Sequence, residues 1–130
     1  MLQIYILLKN INKLIHLINK ICMILYPNAK INLGLKVVSK RDDGLHNISS
    51  FFLPIPLCDI LEVHQDSSLV NNQITYSGLK FPDIKNDLVL QAFDLLHHDF
   101  ALQPVRVHLH KNIPYGAGLG GGSSDGVCML

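Results

Sequence analysis

The chain has few cysteines, and their arrangement excludes the usual cysteine-based sites. Cys22, Cys58 and Cys128 are odd in number, far apart and set among apolar residues, which argues against a disulfide framework. No Cys-x-x-Cys pair and no Cys/His ligand spacing occurs, so we expect no metal site built from protein ligands. This cysteine usage is typical of a reducing compartment, and we expect a cytoplasmic protein.

Little net charge is present, and it is unevenly spread. The formal net charge is +1, but residues 1–22 hold Lys9, Lys13 and Lys20 and no acidic residue. Without these three lysines the formal net charge becomes −2. A near-neutral to acidic body argues against nucleic acid as a partner.

The N-terminal segment lacks an uninterrupted apolar run. Its lysines break the segment too often for a membrane span, which needs about 20 largely apolar residues. It has no small-residue cleavage site of a signal peptide, so an amphipathic surface helix is the remaining structural alternative. Because the sequence changes character at Met23, we interpret residues 1–22 as an extension that is not native. Residues 23–130 then form one incomplete domain, with no membrane partner.

Hydrophobic periodicity in residues 23–130 predicts several strands first, and then helices that alternate with strands. We expect a helix that is capped by Asn86 and ends near Phe100, and a second that is capped by Ser123 and reaches Leu130. Period-two alternation predicts strands over Ile24–Tyr26, Ala29–Val38, Asn47–Ile55, Asp59–His64, Gln73–Tyr76 and Pro104–His110. On the second of these, one face should carry Ile31, Leu33, Leu35 and Val37. This order predicts an α+β fold.

The segment between the last strand and the second helix is unusually rich in glycine. Residues 116–122 contain five glycines and lead into Ser123 and Ser124. Glycine lets the backbone turn tightly and approach an anion, and free N–H groups at a helix start point toward it. The segment therefore predicts a phosphate-binding loop.

Two common phosphate loops fit this segment poorly. Gly116-x-Gly118-x-x-Gly121 matches the dinucleotide fingerprint formally, but residues 111–114 separate it from the strand and no acidic residue follows about 20 positions on. A Walker A loop requires Lys-Ser or Lys-Thr after its last glycine, where this chain has Gly122 and Ser123. The Walker A hypothesis therefore fails.

Three segments together resemble the GHMP kinase superfamily. They are Pro27–Leu33, Arg41–His46 and Ile113–Asp125, in the family's order and spacing. Within the superfamily they resemble a member that phosphorylates a cytidyl-polyol with ATP, and the resemblance covers residues 23–130. It implies a GHMP-kinase N-terminal domain, a mixed sheet with helices on one side, truncated after the glycine-rich loop. It also implies that ATP and Mg²⁺ are used.

The resemblance assigns roles to individual residues. Lys30 matches the catalytic-site lysine, whose cation would lower the pKa of a hydroxyl or neutralise the transferring phosphoryl group. Asn32, Leu45, His46 and Lys111 fall at substrate-binding positions, with His46 at the residue that recognises cytosine. Leu45 replaces the usual tyrosine, so stacking on the base should be weaker. ATP contacts are implied for Pro114, Tyr115, Gly116, Ala117, Gly118, Leu119, Gly120, Gly121, Gly122, Ser123 and Ser124.

The resemblance also implies parts that this sequence does not contain. The family's catalytic aspartate lies in a Gly-Ala-Asp-Val-Pro type segment beyond the glycine loop, and Asp125 is not that residue. Gly126 stands where the family has a small helix former such as alanine, which suggests relaxed constraint. We therefore keep two alternatives open: an inactive truncated or pseudogene fragment with at most weak nucleotide binding, and a free-standing ATP-binding module.

Overall fold

The computed structural model describes residues 22–80 and 87–130, so the predicted N-terminal extension lies outside the described residues apart from Cys22. The fold is α+β, as predicted, and each predicted strand or helix is found with shifted ends. The strands are β1 (Cys22–Leu25), β2 (Asn28–Lys40), β3 (His46–Cys58), β4 (Ile60–Gln65), β5 (Gln73–Gly78) and β6 (Val105–Lys111). The helices are α1 (Leu88–Phe100) and α2 (Gly121–Met129).

Four strands form a mixed sheet in the order β1-β4-β6-β5. Strand β6 pairs antiparallel with β4 and parallel with β5. The apolar alternation that predicted β4 and β6 points one side chain in two toward the helices, so both helices cover the same face of the sheet. The buried core between them consists of Leu61, Val63, Val89, Ala92, Phe93, Val105, Val107, Leu109 and Met129.

Helix α1 is capped by Asp87 and not by Asn86, which lies outside the described residues. The Asp87 Oδ1 atom accepts hydrogen bonds from the backbone N–H groups of Val89 (2.7 Å) and Leu90 (3.2 Å). These bonds satisfy two of the donors that a helix start leaves unpaired. The helix ends at Ala101, whose φ of 49° is left-handed.

Helix α2 begins two residues before the predicted cap at Ser123, so that prediction was wrong. Its N-cap is Gly120, with a φ of 74° and no side-chain cap hydrogen bond. The same helix packs closely on the start of α1 at Gly126. An added Cβ there would lie 3.2 Å from the Leu88 Cβ and 3.3 Å from its carbonyl oxygen. Close packing against Leu88 therefore explains why position 126 is a glycine, and this explanation replaces the interpretation of relaxed constraint.

Strands β2 and β3 form a separate two-stranded antiparallel hairpin. Gly34, with a φ of 65°, lies at a register shift where Leu33 pairs with Phe51 and Leu35 with Ser50. Because neighbouring residues of β3 point to opposite faces, Leu33 and Leu35 do so too. The prediction that Leu33, Leu35 and Val37 share one face was therefore wrong. After the β-bulge at Gly34, Leu35 and Val37 face the opposite side of the hairpin from the side that strict alternation predicts.

Candidate active site

The glycine loop joins β6 to α2 and alternates between two backbone conformations. Gly116, Gly118 and Gly120 have φ values of 70°, 73° and 74°. An L-residue with a side chain rarely adopts this conformation, whereas glycine does so at no steric cost. Successive N–H groups in such a turn form a concave anion-binding surface, which here leads directly into the positive end of the α2 dipole.

Neighbouring side chains also crowd two of these glycines. A Cβ on Gly120 would lie 3.1 Å from the Lys30 Cε atom. A Cβ on Gly121 would lie 2.8 Å from the Ile113 Cγ2 atom and 3.4 Å from the Asp59 Oδ2 atom. The loop therefore passes directly over β2 and over the end of β6.

Lys30 is the predicted catalytic residue, and the fold brings it to the glycine loop. Its Nζ atom donates to the Gly118 carbonyl at 2.7 Å, across a separation of 88 residues, and to the Asn32 Oδ1 atom at 2.5 Å. Its backbone N–H donates to the Leu119 carbonyl at 2.9 Å. The ammonium also lies 5.4 Å from the centroid of the Phe52 ring, at cation–π distance. Lys30 and Asn32 are thus part of the loop's immediate surroundings.

Leu45 and His46 lie at the other end of the hairpin, away from the loop. His46 is the first residue of β3 and pairs with Lys40. Both side chains are exposed, and Leu45 is 62% accessible. The structure therefore does not bring these two predicted substrate residues next to Lys30.

The structure places Lys111 in a buried ion cluster, and the substrate contact expected of it stays a prediction. Only 5% of the residue is exposed, and its Nζ atom forms ion pairs with the Oδ2 atoms of Asp59 and of Asp125, the latter at 2.7 Å. Burial alone would lower the pKa of Lys111, but hydrogen bonds and charges from Asp125 and Asp59 outweigh burial and raise it. The ammonium is therefore held charged inside the protein.

Asp125, on α2, is the second carboxylate of this buried cluster. Burial raises its pKa to about 6, the Asp59 carboxylate adds to the rise, and Lys111 opposes it. Its Oδ1 atom is buried and has no hydrogen-bond partner among the described residues. Two carboxylates that share one ammonium leave the cluster with an excess negative charge when both are ionised.

Asp59 is a site residue that the sequence did not reveal. It is fully buried, and its Oδ1 atom accepts from the backbone N–H groups of Asn112 (2.6 Å) and Ile113 (2.8 Å). Together with Lys111 and Asp125 it anchors the loop at both ends, where the chain leaves β6 and where it enters α2. A single acid at the start of a predicted strand carries no signal of this role, because its backbone donors lie more than 50 residues later.

Two features are absent from the part of the chain that the structure describes. No helix is long and apolar enough to cross a membrane. No group of three or more His, Cys, Asp or Glu side chains could hold a metal ion.

Residues 87–130, which hold helix α1, strand β6, the glycine loop and helix α2, match the family described as GHMP kinases N terminal domain. The chain is similar to 4-diphosphocytidyl-2-C-methyl-D-erythritol kinases of Azobacteroides pseudotrichonymphae (50% identical over 109 residues) and Cytophaga hutchinsonii (53% over 111 residues). Each alignment covers 83% of this chain and 40% of the relative, so the chain spans about 40% of their length.

Two solved structures are also similar to this chain. One described as a 4-(cytidine 5'-diphospho)-2C-methyl-D-erythritol kinase is 37% identical with a TM-score of 0.65, over 83% of this chain and 38% of that chain. A mevalonate pyrophosphate decarboxylase from Streptococcus pyogenes has a TM-score of 0.59 at 18% identity, over 85% of this chain and 35% of that chain. The second comparison shows a shared fold alone.

Proposed function

We propose that this chain supplies the ATP-binding half of a kinase that phosphorylates the 2-hydroxyl of 4-diphosphocytidyl-2-C-methyl-D-erythritol in non-mevalonate isoprenoid biosynthesis. The observation that carries the proposal is the hydrogen bond from Lys30 to the Gly118 carbonyl, which joins two of the family's motifs in one site. The names of relatives about 50% identical support the substrate. A cytoplasmic location agrees with the three free cysteines.

The site's own residues account for phosphate binding and charge stabilisation. The backbone N–H groups of the glycine loop and the start of α2 would hold the ATP phosphates. The Lys30 ammonium stands beside that loop, where it would neutralise charge on the transferring phosphoryl group or lower the pKa of the attacking hydroxyl. A protein accelerates phosphoryl transfer mainly by positioning the reactants and by stabilising charge in the transition state.

Mg²⁺ would enter this site together with ATP. When bound, it supplies neutralisation of the phosphate oxygens. Because the described residues form no metal cluster of their own, we propose that ATP oxygens hold the ion, helped by the hydroxyl groups of Ser123 or Ser124 in the first turn of α2.

The described residues of this site include no free group that could take the proton from the attacking hydroxyl. Asp59 and Asp125, the carboxylates that anchor the loop, are both buried against Lys111. We therefore propose that turnover requires the remaining length present in the relatives. The second candidate is an inactive fragment that retains at most weak nucleotide binding, and the burial of both carboxylates against Lys111 favours it.

Nucleotide binding tests the proposal on the 130-residue chain. We expect calorimetric titration to detect ATP binding in the millimolar range. Lys30→Met keeps the aliphatic stem that contacts Gly120 but removes the ammonium, so it should weaken ATP binding about tenfold. Lys36→Met, on the same strand beyond the bulge and on the opposite face, is the matched control and should bind like the wild type. Absence of ATP binding at millimolar concentration would contradict the proposal.

Turnover is tested separately in a chimera. Residues 23–130 replace the aligned part of the Cytophaga hutchinsonii relative, and phosphorylation of the cytidyl-polyol is measured. We expect activity in the chimera, its loss in the Lys30→Met chimera, and none in the 130-residue chain alone. An inactive chimera that is folded and binds ATP would favour the inactive-fragment alternative.

A further inference from the structure

A row of polar groups extends from the glycine loop along one face of the hairpin. Lys30 Nζ donates to the Asn32 Oδ1 atom at 2.5 Å, and Asn32 Nδ2 donates to the Ser50 Oγ atom at 2.9 Å. Ser50 is half-buried and lies on β3, the strand opposite Asn32. Neither the motifs nor the family resemblance assigns a role to Ser50.

The chemistry of the three groups allows only one orientation of the Asn32 amide. A lysine ammonium can only donate, so the amide oxygen must face Lys30 and the amide nitrogen must face Ser50. Ser50 accepts that bond with its oxygen, which leaves its own O–H free to donate. Among the described residues, one N–H of Lys30 and one of Asn32 are also without an acceptor. The row therefore presents hydrogen-bond donors, which suit a ligand rich in oxygen.

The position of Ser50 indicates which part of a ligand it would meet. His46 lies four residues earlier on the same face of β3, about 13 Å away at the usual rise per residue. The glycine loop lies at the other end of the row, beyond Lys30. Ser50 is thus between the phosphate loop and the residue predicted to recognise cytosine, beside the middle of a ligand that reaches both.

We propose that Ser50 is an additional substrate-binding residue, whose hydroxyl accepts from the Asn32 amide nitrogen and donates to an oxygen of the cytidyl-polyol. This inference rests on the proposed function, because it takes its ligand from that proposal. It assigns the binding of the polyol to three side chains, Lys30, Asn32 and Ser50. The residue that the sequence pattern alone could not supply is Ser50, because it joins the others only through strand pairing.

Binding of 4-diphosphocytidyl-2-C-methyl-D-erythritol to the 130-residue chain tests the inference by calorimetry. Ser50→Ala removes one donor and leaves the Asn32 amide nitrogen without its Ser50 acceptor, so we expect the Kd to rise about fivefold. Ser50→Thr keeps the hydroxyl and a side chain that suits a strand, so it should restore binding. Ser49→Ala is the matched control, because Ser49 is exposed on the opposite face of the same strand. Circular dichroism confirms that each variant is folded.

The outcomes separate the two proposals. Weakened binding in Ser50→Ala, with Ser50→Thr and Ser49→Ala like the wild type, supports the inference. If the wild type binds the cytidyl-polyol and Ser50→Ala binds it as tightly as Ser49→Ala does, the inference is overturned and the proposed function is not. A wild-type chain that binds ATP but no cytidyl-polyol overturns the proposed substrate and this inference with it. A Ser50→Thr variant as weak as Ser50→Ala overturns the role given to the hydroxyl.

Discussion

Asp59 shows how one buried side chain controls the shape of the glycine loop. A carboxylate can be buried only when charge and hydrogen bonds compensate the loss of water. Asp59 meets this condition through Lys111 and through two backbone N–H groups at the loop's entry. The ion pair with Lys111 and the two backbone hydrogen bonds therefore fix the chain where it enters the loop, while the glycines set the backbone conformation of the loop itself.

Asp59→Asn tests this role. The amide oxygen can still accept from the backbone, but the amide nitrogen then faces the Lys111 ammonium, donor against donor. We expect a loss of unfolding free energy on the order of 3 kcal/mol, measured by urea denaturation. Asp43→Asn removes a carboxylate paired with Arg41 at the exposed hairpin turn and should cause no measurable change. Equal stability of Asp59→Asn and the wild type would contradict the role.

Gly121 and Gly122 form a matched pair at the start of α2. Gly121→Ala would force a Cβ to 2.8 Å from Ile113, so we expect it to lower the unfolding free energy by about 1–3 kcal/mol. Gly122 has no heavy atom within 4 Å of an added Cβ, so Gly122→Ala should raise the unfolding free energy by up to about 1 kcal/mol through helix propensity. Thermal denaturation of both variants checks the prediction, and the reverse order of stabilities would contradict it.

At the scale of elements, the two helices begin in different ways. Helix α1 begins at a carboxylate that also accepts a hydrogen bond from the Tyr76 hydroxyl at 2.7 Å, which ties the helix start to β5. Helix α2 is capped by Gly120 instead, whose left-handed φ of 74° lets the loop turn into the helix without a side-chain cap. The start of α1 is therefore fixed by side-chain hydrogen bonds of Asp87, and the start of α2 by the backbone conformation of Gly120.

Asp87→Ala should weaken α1. The substitution removes the cap of two backbone N–H groups, and we expect a loss of about 1 kcal/mol of unfolding free energy in urea denaturation. Asp87→Asn keeps an accepting oxygen and should retain most of the stability. Asp99→Ala, at the exposed end of the same helix, serves as control. A variant Asp87→Ala as stable as Asp99→Ala would show that the cap contributes nothing.

At the scale of the whole molecule, the hairpin leaves apolar side chains uncovered. Phe51 is 81% exposed and pairs with Leu33, which is 50% exposed. An exposed apolar patch promotes association in water. We expect the 130-residue chain to self-associate as its concentration rises in sedimentation velocity, and Phe51→Ser to reduce this. Val70→Ser, at an 89% exposed residue in the loop after β4, is the control. A chain that stays monomeric at all concentrations would contradict this prediction.

The pH dependence of stability also belongs to the whole molecule. The pKa of Asp125 is raised from 3.8 to about 6, so the folded state binds its proton more tightly than the unfolded state. Its contribution to the unfolding free energy therefore falls as the pH rises from about 4 to about 6. Hydrogen bonds from Ser68 and Arg106 lower the pKa of Asp66 from 3.8 to about 2, so its stabilisation is lost as the pH falls through that range.

Urea denaturation across pH 2 to 7 separates the two groups. We expect Asp125→Asn to remove the slope between about pH 4 and 6 and to leave the acid limb unchanged. We expect Asp66→Asn to reduce the slope below about pH 4 only. An Asp125→Asn variant with the wild-type slope between pH 4 and 6 would show that the Asp125 carboxyl does not titrate there.

Much of this fold and site followed from local patterns in the sequence. Period-two alternation located β4 and β6, helical spacing located α1, and the run of glycines before Ser123 located the glycine loop. These features are local, because side-chain direction and glycine conformation are set within a few residues. The family resemblance added Lys30 as the lysine that belongs beside the loop.

Only the tertiary structure decided which distant groups meet. The bulge at Gly34, the cap at Gly120 and the burial of Lys111 all depend on neighbours far away in the chain. Asp59 reaches the loop and Ser50 reaches Asn32 through strand pairing, across 53 and 18 residues. Such contacts depend on packing, since a buried charge is stable only where folding delivers its partners. The sequence by itself therefore determined the elements and the loop, and the fold decided how the site around them is held.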